Sequence, residues 1–270
     1  MTRFVTTDSV LDKILAHKVD EIDSMRHRAA ELRRAAEDAP APPAFAAALR
    51  KPTVALIAEV KRASPSKGVL IADFDAVRIA REYEANGASA VSVLADERFF
   101  MGSPDLVRDV ATAITLPVLF KEFVIDPLQV ELARSLGASA VLLIAAALDD
   151  VQLRDLSARI AALGMDALVE VHDERELERV LRMGARVVGV NNRDLKTFRE
   201  DLSVTERLAA GLDQGIVLVA ESAIRSPVDV ARMARAGASA VLVGEGLIKA
   251  VDRPASVRQY ASIARPENAS

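Results

Sequence analysis

The chain contains no cysteine, and that absence removes several chemistries before any motif is read. Without Cys there is no disulfide framework, no thiolate nucleophile and no Cys-ligated metal centre. A reducing, cytoplasmic setting is the expectation. Tryptophan is also absent, aromatic residues make up 4% of the 270 positions, and the formal net charge is −4. A nucleic-acid surface needs a positive field and stacking rings, so none is expected. Long apolar runs are missing too. The longest, around Ala138–Leu148, is too short to cross a bilayer. The start, Met1-Thr2-Arg3-Phe4-Val5-Thr6-Thr7-Asp8, has no apolar core of a secretory signal. The three histidines, His17, His27 and His172, stand at no metal-ligand spacing. The basic run Arg26-His27-Arg28 with Arg33-Arg34 is interleaved with Glu21, Asp23 and Glu31, and reads as a solvated helix face.

What the chain does have is apolar content and repetition. Hydrophobic residues are 51% and charged residues 27%, enough for one large core, so residues 1–270 read as a single domain. Gly-Ala-Ser-Ala-Val occurs at Gly87–Val91, Gly137–Val141 and Gly237–Val241, with a weaker copy, Gly184-Ala185-Arg186-Val187-Val188, in the widest gap. The four glycines lie 50, 47 and 53 residues apart. Each follows a helical pattern and precedes a short apolar run, as a left-handed helix cap before a strand would. Four copies at near-constant spacing mean a repeated β-α-β-α unit.

The strands then read Val54–Val60, Ala90–Ala95, Pro117–Lys121, Ala140–Ala145, Ala167–Val171, Val187–Val190, Ile216–Ala220 and Ala240–Val243. They are continuously apolar rather than alternating, which suits a parallel sheet covered by helices. Eight successive βα units close most simply into a (β/α)8 TIM barrel. The competing arrangement, a doubly wound open sheet, would show a glycine-rich turn after the first strand. That turn here is Lys61-Arg62-Ala63-Ser64-Pro65-Ser66. Residues 1–50 form an N-terminal helical extension. Ser9 is placed to cap a first helix, with Asp12 as its capping-box partner. Leu11, Ile14, Leu15, Val19, Ile22 and Met25 make one apolar stripe along it. Ala39-Pro40-Ala41-Pro42-Pro43 breaks the helix, and a second short helix spans Ala44–Arg50. The extension covers either the barrel floor or its top.

Chemistry in this fold sits at the C-terminal strand ends. In order these end in Glu59-Val60-Lys61, Asp96-Glu97-Arg98-Phe99-Phe100, Lys121-Glu122-Phe123, Leu142-Leu143-Ile144-Ala145, Glu170-Val171-His172, Asn191-Asn192-Arg193-Asp194, Glu221-Ser222-Ala223 and Gly244-Glu245-Gly246. Residues two apart share a face, which pairs Glu59 with Lys61, Lys121 with Phe123 and Asn191 with Arg193. Glu170 interrupts an apolar strand, which is costly unless the carboxylate is paired or used. The plain alternative is a structural salt-bridge network of Glu59, Lys61, Lys121 and Glu170. Four ionisable groups converging on one mouth favour a site. The last two loops resemble a phosphate cradle: Ser222 offers a hydroxyl, Gly244 and Gly246 allow close approach, and a short helix is expected over Gly246–Ala250. The plain alternative for Gly244 is that it only relieves crowding. Glu245 is tolerable there only if its carboxylate points away from the anion.

Ile57-Ala58-Glu59-Val60-Lys61-Arg62-Ala63-Ser64-Pro65-Ser66-Lys67-Gly68 resembles the first-strand signature of the indole-3-glycerol phosphate synthase family. So do Phe120-Lys121-Glu122-Phe123, Leu168-Val169-Glu170-Val171, Gly189-Val190-Asn191-Asn192-Arg193-Asp194-Leu195, Ala220-Glu221-Ser222 and the N-terminal Val10-Leu11-Asp12-Lys13-Ile14. The resemblance implies ring closure of 1-(2-carboxyphenylamino)-1-deoxyribulose 5-phosphate to indole-3-glycerol phosphate, with loss of CO2 and water, in tryptophan biosynthesis. It implies no metal or organic cofactor, a small sugar-phosphate substrate carrying an anthranilate ring, and no nucleic-acid, membrane or obligate protein partner. By motif, Lys121 is the general acid at the ketone oxygen and Glu170 its base/acid partner. Lys61 holds the substrate carboxylate and is a second candidate acid, with Glu59 orienting it. Asn191 holds a sugar hydroxyl, and Glu221 and Ser222 line the sugar and phosphate end. Arg193 supports the carboxylate side. Ser64, Phe100, Phe123, Leu142, Ala223, Leu242, Gly244 and Glu245 complete the substrate-binding set. Two positions depart from the family pattern: Ala223 stands where glycine is usual after Glu-Ser, and Glu245 where a small residue is usual. Two rival readings remain, a sugar-phosphate isomerase on the same fold and an inactive scaffolding barrel. The first would lack the lysine-and-carboxylate first strand with Ser-Pro-Ser; the second should have lost Lys61, Lys121 or Glu170.

Overall fold

A computed structural model describes residues 3–65, 67–213 and 215–266 of the chain; Met1, Thr2 and Ser66 of the motifs quoted above lie outside them. Eight parallel strands form a closed barrel in chain order: β1 (Ala55–Val60), β2 (Ala90–Leu94), β3 (Val118–Lys121), β4 (Ala140–Ile144), β5 (Asp166–Val171), β6 (Val187–Asn191), β7 (Val217–Glu221) and β8 (Ala240–Val243). Closure is the β1–β8 pairing, with Ala55 opposite Ala240 and Ala58 opposite Val243. Every expected strand forms, with ends shifted by one residue or so. The open-sheet alternative is excluded by that pairing. A two-residue antiparallel ribbon, Ala63–Ser64 against Gly68–Val69, was not expected and stands over the mouth after β1.

Helices follow each strand. Three precede the barrel: α1 (Val10–Met25), α2 (Ala29–Asp38) and α3 (Phe45–Ala48). Then come α4 (Ala76–Ala85), α5 (Pro104–Ala113), α6 (Pro127–Ser135), α7 (Asp150–Ala162), α8 (Glu174–Arg182), α9 (Ser203–Ala209), α10 (Pro227–Arg235), α11 (Glu245–Ile248) and α12 (Arg253–Ala261). Their starts are chemically marked. Asp126 and Asp149 make full capping boxes with Gln129 and Gln152, and Ser103 and Ser226 precede a first-turn proline.

The repeated tetrad has a physical explanation at each position. Gly87, Gly137, Gly184 and Gly237 have φ of 100°, 87°, 81° and 97°, the left-handed conformation that ends a helix without a Cβ penalty. Ala88, Ala138 and Ala238 are buried. Ser89, Ser139 and Ser239 donate their N–H to Leu56, Val118 and Leu218, each at 2.8 Å, which registers the new strand on its neighbour.

The extension does both jobs the sequence left open. Leu11, Ile14, Leu15 and Ile22 of α1 are buried, and the N-terminal turn of this helix roofs the barrel mouth. The α3 segment closes the floor: Phe45 and Leu49 are fully buried, and Ala46 N–H donates to Asp166 at the start of β5 (2.8 Å). Ser9 caps α1 as expected. The expected capping box does not close: the Ser9 hydroxyl accepts from Leu11 N–H, while the Asp12 carboxylate accepts from Thr7 and Asp8 N–H and so folds the chain before the helix onto it.

Candidate active site

All sixteen residues nominated from the sequence line one cavity of about 380 Å3 at the C-terminal mouth of the barrel. Five strand ends deliver its polar floor. From β1, Lys61 Nζ lies 2.5 Å from Glu59 Oε1. From β3, Lys121 Nζ sits between Glu170 Oε2 of β5 (3.3 Å) and Glu221 Oε2 of β7 (3.2 Å). Asn191, ending β6, donates from Nδ2 to Glu170 Oε1 (3.2 Å). The charges thus form two clusters, a Lys–Glu pair and a Lys between two carboxylates. The single network of Glu59, Lys61, Lys121 and Glu170 does not form, because Glu221 takes the second place beside Lys121.

Two glycines create the room. A Cβ at Gly189 on β6 would lie 2.0 Å from Glu221 Oε1, and one at Gly244 would lie 2.3 Å from Glu59 Oε1 and 3.0 Å from Lys61 Nζ. Gly244 therefore does relieve crowding, and what it clears is the Glu59–Lys61 pair.

The electrostatics divide the carboxylates. Burial pushes Glu221 up, and the negative charge of Glu170 adds to this against the pull of Lys121, leaving it at about 7. Burial acts on Glu170 in the same sense, but Lys121, His172 and Asn191 outweigh it and hold Glu170 well below the ordinary carboxylate range. Glu59 is likewise held low, burial being outweighed by Lys61 and Lys121. Burial disfavours the Lys121 ammonium, but Glu221, Glu170 and Glu59 prevail and keep it protonated. Near neutral pH the mouth therefore holds a charged amine donor, an ionised carboxylate beside it and a second carboxylate close to its titration point. That is an acid–base set.

The walls are apolar. Phe100 and Phe123 meet with ring centroids 5.8 Å apart, and Leu142, Leu242 and, from α1, Val10, Leu11 and Ile14 line the same cavity. Ser64, on the ribbon after β1, lines the rim. Arg193 is held at the rim by Glu200 (2.5 Å), which also binds Arg225.

At the other end, Ser222 and Ala223 have φ of 63° and 62°. The position where this chain carries alanine does demand the left-handed conformation, costing a residue with a Cβ about 1 kcal/mol. The short helix α11 starts at Glu245, one residue before the expected Gly246. The Glu245 carboxylate is taken by Lys67 (2.8 Å) and Lys249 (2.9 Å), which outweigh partial burial and pull it to about 2. Its charge is thereby neutralised on the lysine side.

Further side chains support this set, and sequence reasoning missed all of them but His172, which shares a strand face with Glu170 and so reaches toward the pocket. His172 lies 3.3 Å from Glu170 Oε1 and 3.0 Å from Glu176 Oε2. Burial disfavours its charge, but these two carboxylates raise it to about 10. Lys18, Asp96 and Glu122 form a buried cluster behind Phe100 and Phe123. Lys18 falls within the apolar stripe of α1, where a lysine is out of place. Among the described residues no group of three or more His, Cys, Asp or Glu is arranged to hold a metal ion.

Comparison with known proteins identifies the family. The indole-3-glycerol phosphate synthase family model matches residues 11–260. This chain belongs to the indole-3-glycerol phosphate synthase family. The synthase of that name from Roseiflexus sp. (strain RS-1) is 50% identical over 264 residues, covering 93% of this chain and 98% of that one. The synthase of Acaryochloris marina (strain MBIC 11017) is 49% identical over 251 residues, covering 89% and 83%. Solved structures share the fold at low identity. The 3-hexulose-6-phosphate synthase from Salmonella typhimurium superposes with a TM-score of 0.63 at 13% identity, covering 77% of this chain and 97% of that chain. The barrel is thus an architecture that proteins of other names also use.

Proposed function

We propose that this chain is a carboxy-lyase that converts 1-(2-carboxyphenylamino)-1-deoxyribulose 5-phosphate to indole-3-glycerol phosphate by acid–base catalysis. The observation that carries the reading is Lys121 between Glu170 and Glu221, facing the Lys61–Glu59 pair beneath an aromatic wall. The substrate ring stacks on the apolar side, against Phe100, Phe123, Leu142 and Leu242. Its carboxylate is held by Lys61, with Arg193 and Ser64 on the same side. The phosphate sits at the Ser222–Ala223 and Gly244–Glu245 loops, bound by backbone N–H groups and the Ser222 hydroxyl. Asn191 and Glu221 hold the sugar between these ends.

In the first step the ring carbon bearing the carboxylate attacks the ketone carbon, and Lys121 protonates the ketone oxygen. The C–C bond to the carboxylate then breaks, its electron pair restoring the aromatic ring as CO2 leaves. In the dehydration the new hydroxyl departs as water with a proton from a lysine, Lys121 or Lys61, while Glu170 accepts the proton from the neighbouring carbon. The held-down Glu170 stays ionised for that task. Glu59 balances Lys61, so its ammonium meets the substrate carboxylate in fixed orientation.

The reading includes no metal, no organic cofactor and a cytoplasmic location without a nucleic-acid, membrane or obligate protein partner. No helix among the described residues is long and apolar enough to cross a membrane. The test is the purified protein with the arylamino ribulose phosphate, followed by indole fluorescence. Turnover is expected, and it should be unchanged by EDTA. Inert protein refutes the activity; loss on chelation with recovery on adding a divalent ion refutes the metal-free mechanism.

A further inference from the structure

The roof of the cavity is tied down by one buried cation. Lys18 lies on the inner face of α1 and is 1% exposed. Its ammonium is 2.7 Å from Asp96 Oδ2, 3.1 Å from Glu122 Oε2 and 2.7 Å from Glu21 Oε2. Asp96 follows β2 and Glu122 follows β3, and both are buried. Each of these two carboxylates also holds the backbone of an aromatic residue. Asp96 Oδ1 accepts from the N–H of Phe99 (2.6 Å) and Phe100 (3.0 Å), and Glu122 Oε1 accepts from the N–H of Phe123 (2.7 Å). One side chain therefore links three elements that each supply cavity wall: Phe100, Phe123, and Val10, Leu11 and Ile14 of α1. Lys18 itself is not on that wall.

Stability alone is a poor explanation for such a cluster. Burying an ammonium among carboxylates costs desolvation that apolar side chains in the same space would avoid. What the ions supply instead is fixed geometry: a packed apolar contact lets a helix slide, whereas three short ion contacts do not. We propose that Lys18 is a positioning residue for the aromatic ring of the substrate, locking α1 and the two Phe-bearing loops into one ring subsite. The proposal rests on the ring-closure reading, in which that ring must lie against the ketone in one orientation.

The test compares two competitive ligands. One is the substrate with its ketone reduced to the alcohol, which keeps the arylamino ring and cannot cyclise. The other is 1-deoxyribulose 5-phosphate, which has no ring. In Lys18→Met, assayed well below its melting temperature, the ring-bearing ligand should bind at least about tenfold more weakly while the ring-free ligand changes by less than about twofold. A purely structural role would weaken both alike or neither, and either result overturns the proposal. Should Lys18→Met fail to fold, Glu122→Gln severs one arm of the cluster and keeps the acceptor for Phe123. It should show the same ring-selective loss, at least about threefold; equal effects on both ligands overturn the proposal. Wild-type turnover is measured first. An inert wild type sinks the ring-closure reading, whereas an active wild type with no ring-selective loss in the variants sinks only the role of Lys18.

Discussion

Lys121 is flanked by two carboxylates pushed in opposite directions: burial raises Glu221, whereas Lys121, His172 and Asn191 outweigh burial at Glu170 and hold it low. Lys121→Ala should leave the protein folded, since one of the freed carboxylates can take up a proton, and should lower kcat at least about 100-fold, the usual worth of a positioned acid. Steady-state kinetics by indole fluorescence measures this, and a near-normal kcat would remove Lys121 from the chemistry. His172 gives a second prediction, read as stability. Its folded value of about 10 lies above the ordinary imidazole value of 6.5. The folded state therefore binds the proton more tightly, and that stabilisation is complete below pH 6.5 and lost as pH rises toward 10. Denaturant unfolding at pH 6.5 and 9.5 should show a decline in the wild type that is smaller in His172→Asn; equal declines would contradict the ion triad with Glu170 and Glu176. The polar strand ends were legible in the sequence because a charge in an apolar strand is conspicuous. Lys18, Gly189 and Glu200 were not, since each matters through a residue outside its own element: Asp96 and Glu122, Glu221, and Arg193 with Arg225.

At the level of elements, the barrel was legible because its signals are local. A glycine at positive φ, a small buried residue and a serine that registers the strand recur within five positions. The ribbon after β1 escaped notice because two residues per strand carry no periodicity. The sequence left open which end of the barrel α1 and α3 each cover, because an apolar stripe says what is buried and not against what. The phosphate cradle of the loops after β7 and β8 is tested at Ser222 rather than at Gly244. Substituting Gly244 does not probe anion binding cleanly, since any Cβ there meets Glu59 at 2.3 Å. Gly244→Ala is therefore expected to lower kcat by displacing the Glu59–Lys61 pair. Ser222→Ala removes only a hydroxyl and should raise KM more than it lowers kcat, the pattern of an interaction made alike in ground and transition states. Inorganic phosphate should inhibit competitively in the wild type and less well in Ser222→Ala. If Ser222→Ala lowers kcat with KM unchanged, the β7 loop acts in the chemistry rather than in anchoring.

For the molecule as a whole, a closed barrel leaves no free sheet edge, so added segments must pack on its ends or its helical shell. The extension does so at both ends, with α1 on the mouth and α3 on the floor, joined by α2 running along α6. Arg134 of α6 fastens the connecting turn by donating to the carbonyls of Ala39 and Pro40 as well as Leu163. Detaching α1 would leave Asp96 and Glu122 buried beside each other without Lys18, at a cost of about 3 kcal/mol or more. That is a sizeable part of the stability of an ordinary domain. We therefore propose that residues 1–50 unfold together with the barrel as one domain. The chain's composition makes this measurable without labels. Its only two tyrosines, Tyr83 and Tyr260, lie on α4 and α12, so tyrosine fluorescence reports the barrel alone. Far-UV ellipticity reports every helix, α1 and α2 included. The two denaturant curves should coincide in a single transition. An ellipticity loss that precedes the tyrosine transition would mean that the extension detaches first, and that the ions around Lys18 do not couple the roof to the barrel beneath it.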